Sequence, residues 1–298
     1  MHKKNNKFVH GESFKWGVMM SNNTAMSIAI RRQDNSVAER VEKKSSLINK
    51  NTFFNIPVIR GLIRFLEGST DQFRGGQYIK KMTKTRGGKN LKSLSKKRFE
   101  KISPYVSVFI ILLLGFILYF MIPTLATFLL KKTIKNILIL NSIEIFIRIM
   151  IFLITFCILS KSADVKKSAK YHSAEHKVLF CYLNEEPLTI EKAKKYPIYN
   201  PSCGTTLIIT LIIVSIPFFI WINYENILLR IIIMLALLPI LIGISFDLTE
   251  WLGRNESKLG KILTTPGIYL QRLNTKEPDD KHLEIAIIAL KNLLQLRK

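Results

Sequence analysis

The chain has 298 residues, of which 48% are hydrophobic, and it carries a formal charge of +24. A soluble globular domain is rarely so apolar and so basic at once, which argues against a single large soluble core. Separation of apolar from basic segments along the chain explains both values and is typical of a multi-pass membrane protein.

The first predicted element is a β-hairpin over residues 24–42. Met26, Ile28 and Ile30 share one face of an alternating strand, the letters QDNS are typical of a turn, and a weaker strand follows. From Pro57, apolar residues recur at helical spacing. We expect this helix to lie on a membrane or to pack against its spanning helices.

A polybasic run, KKMTKTRGGKNLKSLSKKRFEK, covers residues 80–101. Its most direct interpretation is an anchor on anionic lipid headgroups at the membrane surface. Nucleic-acid or ribosome binding is the alternative, but no recognised nucleic-acid module surrounds the run. No nucleic-acid partner is therefore expected.

Four long apolar stretches follow the run. They cover residues 106–130, 137–160, 205–224 and 227–246, and each is close to the ~20 residues that a helix needs to cross a bilayer. Most of the 45 basic residues lie before the first stretch, between the second and third, and after the fourth. Because basic loops stay cytoplasmic, this distribution predicts a cell-membrane protein with both termini in the cytoplasm.

The second apolar stretch contains two charged residues, Glu144 and Arg148. Four residues apart on a helix, they share a face and can form an intramembrane ion pair. One interpretation is a structural pair that joins spans, with Arg230 of the fourth stretch as a further partner. The other is a proton relay or a substrate contact.

The chain ends in a predicted amphipathic helix within TKEPDDKHLEIAIIALKNLLQL. Asp279 and Asp280 would lie in its first turn, where the helix dipole favours anions. Its apolar stripe consists of Leu283, Ile287, Leu290 and Leu294. Such a stripe is more typical of packing than of cofactor binding.

Together these elements predict an α-helical multi-pass membrane protein with four transmembrane helices and small α+β cytoplasmic parts. Residues 1–105 would form a cytoplasmic N-terminal region, and residues 247–298 a cytoplasmic C-terminal region. Residues 106–246 would form the membrane domain, including the cytoplasmic loop 161–204. The lipid bilayer is the expected partner, and a homo-oligomer is left open.

That cytoplasmic loop contains YHSAEHKVLFCY, residues 171–182. On a helix, His172 and His176 lie one turn apart and can bind one zinc ion, and Glu175 lies near them as a candidate general base. This is the arrangement of inverted zincins. The alternative is a polar segment whose histidines meet lipid phosphates or neighbouring carboxylates, because so short a pattern also occurs by chance.

A zinc site needs a third ligand. Cys203, in NPSCGTT, is the first candidate, because its segment returns to the same membrane face before the third apolar stretch. Cys181, Asp247 and Glu250 are further candidates. A cysteine ligand favours zinc over magnesium or calcium.

Several motifs resemble the YqhQ-type bacterial membrane proteins, the family of domain of unknown function 1385. They are YHSAEHKVLFCY, NPSCGTT, TTPGIYLQRLNTKEPDDKHLEIAI, GVMM at 17–20, the N-x-x-E-x-x-x-R spacing from Asn141 to Arg148, and PILIGISFD. The resemblance covers most of the chain. It implies a multi-pass membrane protein and a predicted metal-dependent enzyme, without a reaction. By resemblance His172, Glu175, His176, Cys181 and Cys203 occupy motif positions.

Two positions depart from the pattern of that family. Asn200 stands where a histidine usually precedes the proline, and Trp16 stands where a glutamate usually precedes GVMM. A candidate metal ligand and a candidate carboxylate are thus missing, although Glu12 is close to the second position.

Three functions follow from these residues. The first is a membrane metalloenzyme, hydrolytic and zinc-dependent, whose site faces the cytoplasm at the membrane surface. The second is a non-enzymatic scaffold or assembly or regulatory protein with a structural metal or a polar cluster. The third is a transporter that uses Glu144 and Arg148, which four spans without evident repeat symmetry make the weakest of the three.

Overall fold

The computed structural model describes residues 8–84, 94–220, 222, 226–254 and 257–296. The strands are β1 (His10–Phe14), β2 (Gly17–Ser21), β3 (Ala25–Arg31) and β4 (Val37–Lys43), followed by the short 3₁₀ helices Leu47–Asn49 and Thr52–Asn55. The helices are α1 (Ile59–Lys84), α2 (Leu94–Phe116), α3 (Ile122–Leu130), α4 (Ile137–Ser160), α5 (Ala163–Leu183), α6 (Ile190–Lys194), α7 (Gly204–Phe219), α8 (Ile227–Arg254), α9 (Lys258–Gln271) and α10 (Asp280–Gln295). A π-helical turn, Ile117–Met121, joins α2 to α3. Part of the polybasic run, residues 85–93, lies outside the described residues.

The four strands form one antiparallel sheet in the order β1-β2-β3-β4. The predicted hairpin is present as β3 and β4, with Asn35 at a φ of 64° in its turn, a conformation that asparagine tolerates. The sheet has two more strands than the sequence analysis predicted. Neither strand shows the alternation of apolar and polar residues that marks a strand in the sequence. For β2 the reason is that every one of its residues is buried.

The sheet lies between helices on both faces. On one face Met19 and Ile28 pack with Ile79 of α1. On the other face, α5 and α10 contribute to a second core that includes Val18 and Leu290. The C-terminal helix therefore forms as predicted, and its apolar stripe packs against the sheet and α5. The sheet, α5 and α10 come from all three predicted regions of the chain, and that division into regions stays a prediction.

Three helices are long and apolar enough to cross a membrane: Ser103–Leu130, Ile137–Ser160 and Ile227–Arg254. The remaining predicted span forms α7, an apolar helix of 16 residues. At ~1.5 Å per residue, α7 is shorter than the ~30 Å hydrocarbon core of a bilayer. The described ranges therefore contain three helices of spanning length. The fourth predicted span, α7, is too short to be counted with them by length.

Charged side chains are buried between the apolar helices, in what we call the Glu144 cluster: Asn141, Glu144, Arg148, Arg230 and Thr124. The Glu144 carboxylate lies 2.7 Å from Arg148 and 2.9 Å from Arg230. Thr124 donates to the same carboxylate at 2.9 Å, and Asn141 accepts from Arg230 at 2.9 Å. The cluster therefore links α3, α4 and α8 through charge-assisted hydrogen bonds.

The π-helical turn contributes to the same cluster. A π-turn disturbs the regular helical hydrogen bonds, and here the Tyr119 carbonyl accepts from Nε of Arg148 at 2.9 Å. The Arg148 guanidinium also lies over the rings of Phe120 and Phe219, at 4.7 and 5.0 Å from their centroids. Its planar charge is thus covered by aromatic faces as well as by the Glu144 carboxylate.

The helix α1 begins in direct contact with α8. A Cβ atom added to Gly61 would overlap the carbonyl oxygen of Gly243, and one added to Gly243 would overlap that of Val58. Val58 has a φ of 74°, which is strained for a β-branched residue. The Asp247 carboxylate holds this turn by accepting from the Val58 N–H at 2.9 Å and from Arg60 at 3.1 Å.

Candidate metal centre

The helix α5 positions the residues of the H-x-x-E-H spacing. It begins with Ser162 as its N-cap, whose side chain accepts from the Val165 N–H. The rings of His172 and His176 lie one turn apart on one face, with centroids separated by 4.4 Å. The His176 side chain is almost completely buried.

Cys203 reaches the same point from another part of the chain. It precedes the first residue of α7, and its Sγ atom lies 3.3 Å from Nε2 of His172. One ligand atom from each of His172, His176 and Cys203 lies within 4.8 Å of the other two. These three residues are brought together at a distance that a single ion can bridge, and we call them the metal triad.

The hydrogen bonds of the two histidines identify the atoms that face the site. Nδ1 of His172 lies 3.2 Å from the Asn274 carbonyl, and Nδ1 of His176 lies 2.6 Å from the Ile198 carbonyl. A carbonyl only accepts, so each neutral ring must carry its proton on Nδ1. Each Nε2 therefore presents a lone pair to Cys203, and the carbonyls orient the rings as second-shell partners of metal ligands commonly do.

The loop that carries Cys203 is fixed by one buried side chain. Gln271 of α9 accepts from the Asn200 N–H at 2.9 Å and donates to the Asn200 carbonyl at 2.8 Å. The Asn200 side chain accepts from the Ser202 N–H at 2.9 Å. This pair of amide contacts places the backbone before Cys203 in a defined position relative to α9.

Glu175 lies between the metal triad and the sheet. Its Oε2 atom is 3.5 Å from Nε2 of His176. The side chain passes so close to β1 that a Cβ on Gly11 would overlap it, and a glycine is therefore needed there. Burial raises the pKa of Glu175 to about 7, which suits a group that exchanges protons near neutral pH.

A second carboxyl group faces Glu175 from β1. Burial and the charge of Glu175 raise the pKa of Glu12 to about 8, and Gln72 opposes this by donating to Glu12 at 3.0 Å. Burial, followed by the charge of His172, lowers the pKa of His176. The site thus combines an imidazole, that of His176, whose pKa is lowered, with two carboxyl groups that hold protons more tightly than usual.

These groups open into one cavity of about 540 Å³. Its walls come from β1, α1, α5, the loop before α7, and the end of α8. The lining includes all three residues of the metal triad together with Glu12 and Glu175. The three side chains of the metal triad therefore border an open cavity, and among the described residues no fourth protein ligand is grouped with them.

The other predicted ligands lie apart from the metal triad. The Cys181 thiol is fully buried and donates to the Pro187 carbonyl at 3.3 Å. Asp247 holds the start of α1, and Glu250 pairs with Arg64. Glu250 lines the cavity, whereas neither Cys181 nor Asp247 does.

The two departures from the family pattern are also placed by the structure. Asn200 lines the cavity, and its backbone is held by Gln271. Trp16 lies in the turn after β1 and packs with the core beside α1. Glu12 on β1, four residues before Trp16, carries a carboxyl group that faces Glu175.

Sequence reasoning named Glu12 only as a nearby carboxylate and did not find Gln271 or Gly11. Gly11 and Glu12 lie in a strand without alternation of apolar and polar residues, so no periodic pattern marked them. Gln271 is an uncharged residue about 70 positions after Asn200, and only its complete burial identifies it. The one available signal was the tripeptide HGE, residues 10–12, in which a glycine lies between two titratable side chains.

The fold and the site together define a mostly helical protein with three candidate membrane spans, a short N-terminal sheet and a histidine–cysteine triad. The model of the family described as "Protein of unknown function (DUF1385)" matches residues 56–296. The chain is also 30% identical over 295 residues to "Uncharacterized protein YqhQ" of Bacillus subtilis (strain 168), which covers 96% of this chain and 92% of that protein. The chain therefore belongs to the DUF1385 family. No solved structure matches it.

Proposed function

We propose that this chain is a membrane-embedded, zinc-dependent hydrolase whose site faces the cytoplasm. The observation that carries the proposal is the metal triad, whose three ligand atoms lie within 4.8 Å of one another beside a buried carboxyl group. Two imidazole nitrogens and a thiol form a donor set that suits zinc. The residues present therefore fit the ion that the H-x-x-E-H spacing implies.

His172, His176 and Cys203 would hold the ion, which supplies Lewis acidity when it is bound. Glu175 would act as general base, because its pKa of about 7 lets it both accept and return a proton. It would take a proton from water as the water oxygen forms a bond to a substrate carbonyl carbon. The same proton would pass to the leaving group as its bond to that carbon breaks.

The membrane topology is part of the proposal. The short helix α7 would cross the bilayer together with the residues that follow it, which gives four spans and places both termini in the cytoplasm. The orientation is supported by the basic residues, most of which lie before the first apolar stretch, between the second and third, and after the fourth. The basic segments, including the run 80–101, would bind anionic lipid headgroups.

Metal content tests the site directly. Detergent-purified protein should contain zinc in a near 1:1 ratio by elemental analysis, and a His172→Ala, His176→Ala double variant should contain none. Cys203→Ser should also lose zinc, whereas Cys181→Ser should keep it, because Cys181 lies outside the triad. Absence of zinc from folded wild-type protein after attempted reconstitution would contradict the proposal and favour a non-enzymatic scaffold.

Labelling in intact cells tests the topology. Lys132→Cys, in the short link between the first two spans, should react with a membrane-impermeant maleimide added outside the cell. Lys195→Cys, in the loop before Cys203, should react only after the membrane is opened. Exposed native Cys157 would first be replaced by serine in both variants. The opposite pattern of labelling would reverse the proposed orientation.

A further inference from the structure

The first strand of the sheet has a free edge. β1 pairs only with β2, and a two-residue turn makes Phe14 and Gly17 the hydrogen-bonded pair that closes the hairpin. Hydrogen-bonded and non-bonded pairs alternate in antiparallel strands, so the backbone groups of Gly11 and Ser13 point away from β2. Within the described part of the chain, no other backbone group bonds to them.

This free edge faces the cavity of the metal centre. Six consecutive residues, 8–13, line the cavity, with α1 on one side of the strand and α5 on the other. The edge is therefore the floor of a slot between two helices. Gly11 lies directly against the Glu175 side chain, so a backbone that pairs with Gly11 would pass beside the proposed general base.

His10, which also lines this cavity, has unused hydrogen-bonding capacity. Both ring nitrogens of His10 are buried, and neither has a hydrogen-bond partner among the described residues. Burial, with the charge of Lys44, lowers the pKa of His10 to about 4, so the ring is neutral at pH 7. A neutral imidazole offers one donor and one acceptor, which match the two polar groups of a peptide unit.

The charges in the cavity favour an uncharged backbone over a phosphate. Among the described lining residues, Arg64 is the only permanent cation. It pairs with Glu250, and its guanidinium lies 4.1 Å from the centroid of the Phe8 ring. Two further acidic residues, Glu12 and Glu175, line the same space. Apart from the proposed zinc ion, an anionic headgroup would meet these acids with no side-chain cation among the described lining residues that is not already paired.

We propose that the free edge of β1 binds an extended polypeptide segment as an added strand, so that the substrate of the metal centre is a peptide bond. Main-chain hydrogen bonds to Gly11 and Ser13 would supply sequence-tolerant affinity, as in other strand-addition complexes. For its chemistry this inference rests on the proposed hydrolase, since it names the substrate class of that site. The binding mode itself requires neither zinc nor turnover.

A proline substitution tests the edge. Ser13→Pro removes the outward N–H, and proline is tolerated on an edge strand where the N–H faces away from the sheet. Ser13→Ala removes the hydroxyl and keeps that N–H, which makes it the matched control. Both would be introduced into full-length Glu175→Gln protein, so that bound peptides stay intact. Melting temperature would establish that the variants fold.

The probe is a degenerate library of nonapeptides with blocked ends, passed over the immobilised protein. A retained peptide is then labelled with fluorescein, and its Kd is measured by anisotropy. We expect Ser13→Pro to raise Kd about tenfold, which corresponds to the loss of one good hydrogen bond, and Ser13→Ala to change it less than twofold.

A set of peptides, each methylated at one backbone nitrogen, keeps the test valid if Ser13→Pro does not fold. Strand addition predicts that methylation weakens binding to the unchanged edge at every second position only. Retention of no peptide, equal binding by both variants, or the absence of that two-residue period would overturn the inference. Zinc content and hydrolysis of p-nitrophenyl acetate report separately on the proposed hydrolase.

Discussion

The Glu144 cluster and the metal triad are both buried and polar, but they differ in what their polar atoms face. In the Glu144 cluster, each carboxylate oxygen meets an arginine at 2.7 or 2.9 Å. In the metal triad, Nδ1 of each histidine is held by a carbonyl, and Nε2 is left to face the cavity. The carboxylate oxygens of the Glu144 cluster bond to other protein groups, whereas the Nε2 lone pairs of the metal triad stay available to a ligand.

Under the proposed function, this contrast assigns a structural role to the Glu144 cluster and a chemical role to the metal triad. A buried ion cluster fixes helices relative to one another, and removal of one partner leaves the other charge buried in an apolar environment without its counter-charge. Lone pairs held in place by second-shell bonds contribute little to folding but can bind a cation. Stability measurements should therefore respond to the first cluster, and metal and turnover measurements to the second.

The largest effect is expected from Glu144→Ala. It leaves the buried guanidinium groups of Arg148 and Arg230 without their shared carboxylate, at a cost of about 3–5 kcal/mol in the free energy of unfolding. Thermal unfolding in detergent measures this loss, and the protein that remains folded should keep its zinc. Asp164→Ala, which breaks an exposed pair with Lys15, should cost less than about 1 kcal/mol. Equal costs would show that the buried cluster is not structural.

Glu175→Gln should affect turnover instead of stability. Loss of a general base lowers a hydrolytic rate by about 10²–10⁴-fold, while zinc content should stay near that of the wild type. Steady-state hydrolysis of p-nitrophenyl acetate, with elemental analysis of the same samples, measures both. A fully active Glu175→Gln protein, in an assay that the double histidine variant abolishes, would rule out the proposed role of Glu175.

Gln271→Leu should weaken zinc binding without removing a ligand. Gln271 holds the Asn200 backbone three residues before Cys203, so its loss frees the loop that carries the thiol. Changes to such supporting residues typically cost about 10–100-fold in metal affinity. Competition with a zinc-binding dye measures that affinity, and Gln72→Leu, which removes only the contact with Glu12, is the control. Unchanged affinity would mean that the loop is held by other contacts.

The last prediction concerns the pH dependence of stability in metal-free protein. The folded-state pKa of Glu12, about 8, is above its unfolded value of 4.5, so the native state binds the extra proton. Stability from this group is present below pH 4.5 and is lost as the pH rises through about 8. Melting temperatures between pH 5 and 8.5 should fall in the wild type and fall less in Glu12→Gln. Parallel curves would contradict the raised pKa.

Local patterns in the sequence identified much of the fold. The C-terminal helix, the hairpin formed by β3 and β4, and the long apolar helices each carry a periodicity or length that marks them. The strands β1 and β2 carry no such mark, because β2 is buried on both faces. The length of α7 was also overestimated, since hydrophobicity continues past Phe219, where the helix ends.

Only part of the candidate site was predictable from the sequence. His172, Glu175 and His176 share a spacing that indicates zinc, and Cys203 was inferred because its segment returns to the same predicted membrane face before the third apolar stretch. Cys181 lies close in sequence but points towards the Pro187 carbonyl. Glu12 joins the site through long-range packing of β1 on α5, which depends on the absence of a side chain at Gly11. Contacts of this kind have no local sequence signal.

Gly61 and Gly243 bring the backbones of α1 and α8 into direct contact, with no side chain between them. Because α1 forms one wall of the cavity and α8 is one of the long apolar helices, this contact sets the height of the cavity along the axis of α8. In the proposed membrane hydrolase, a substrate anchored in the same bilayer as this protein would have to present the bond to be cleaved at that height. The number of residues between its anchor and that bond would then determine which bond is cleaved. Because Gly61 and Gly243 fix α1 against α8, they would define the point from which that distance is measured.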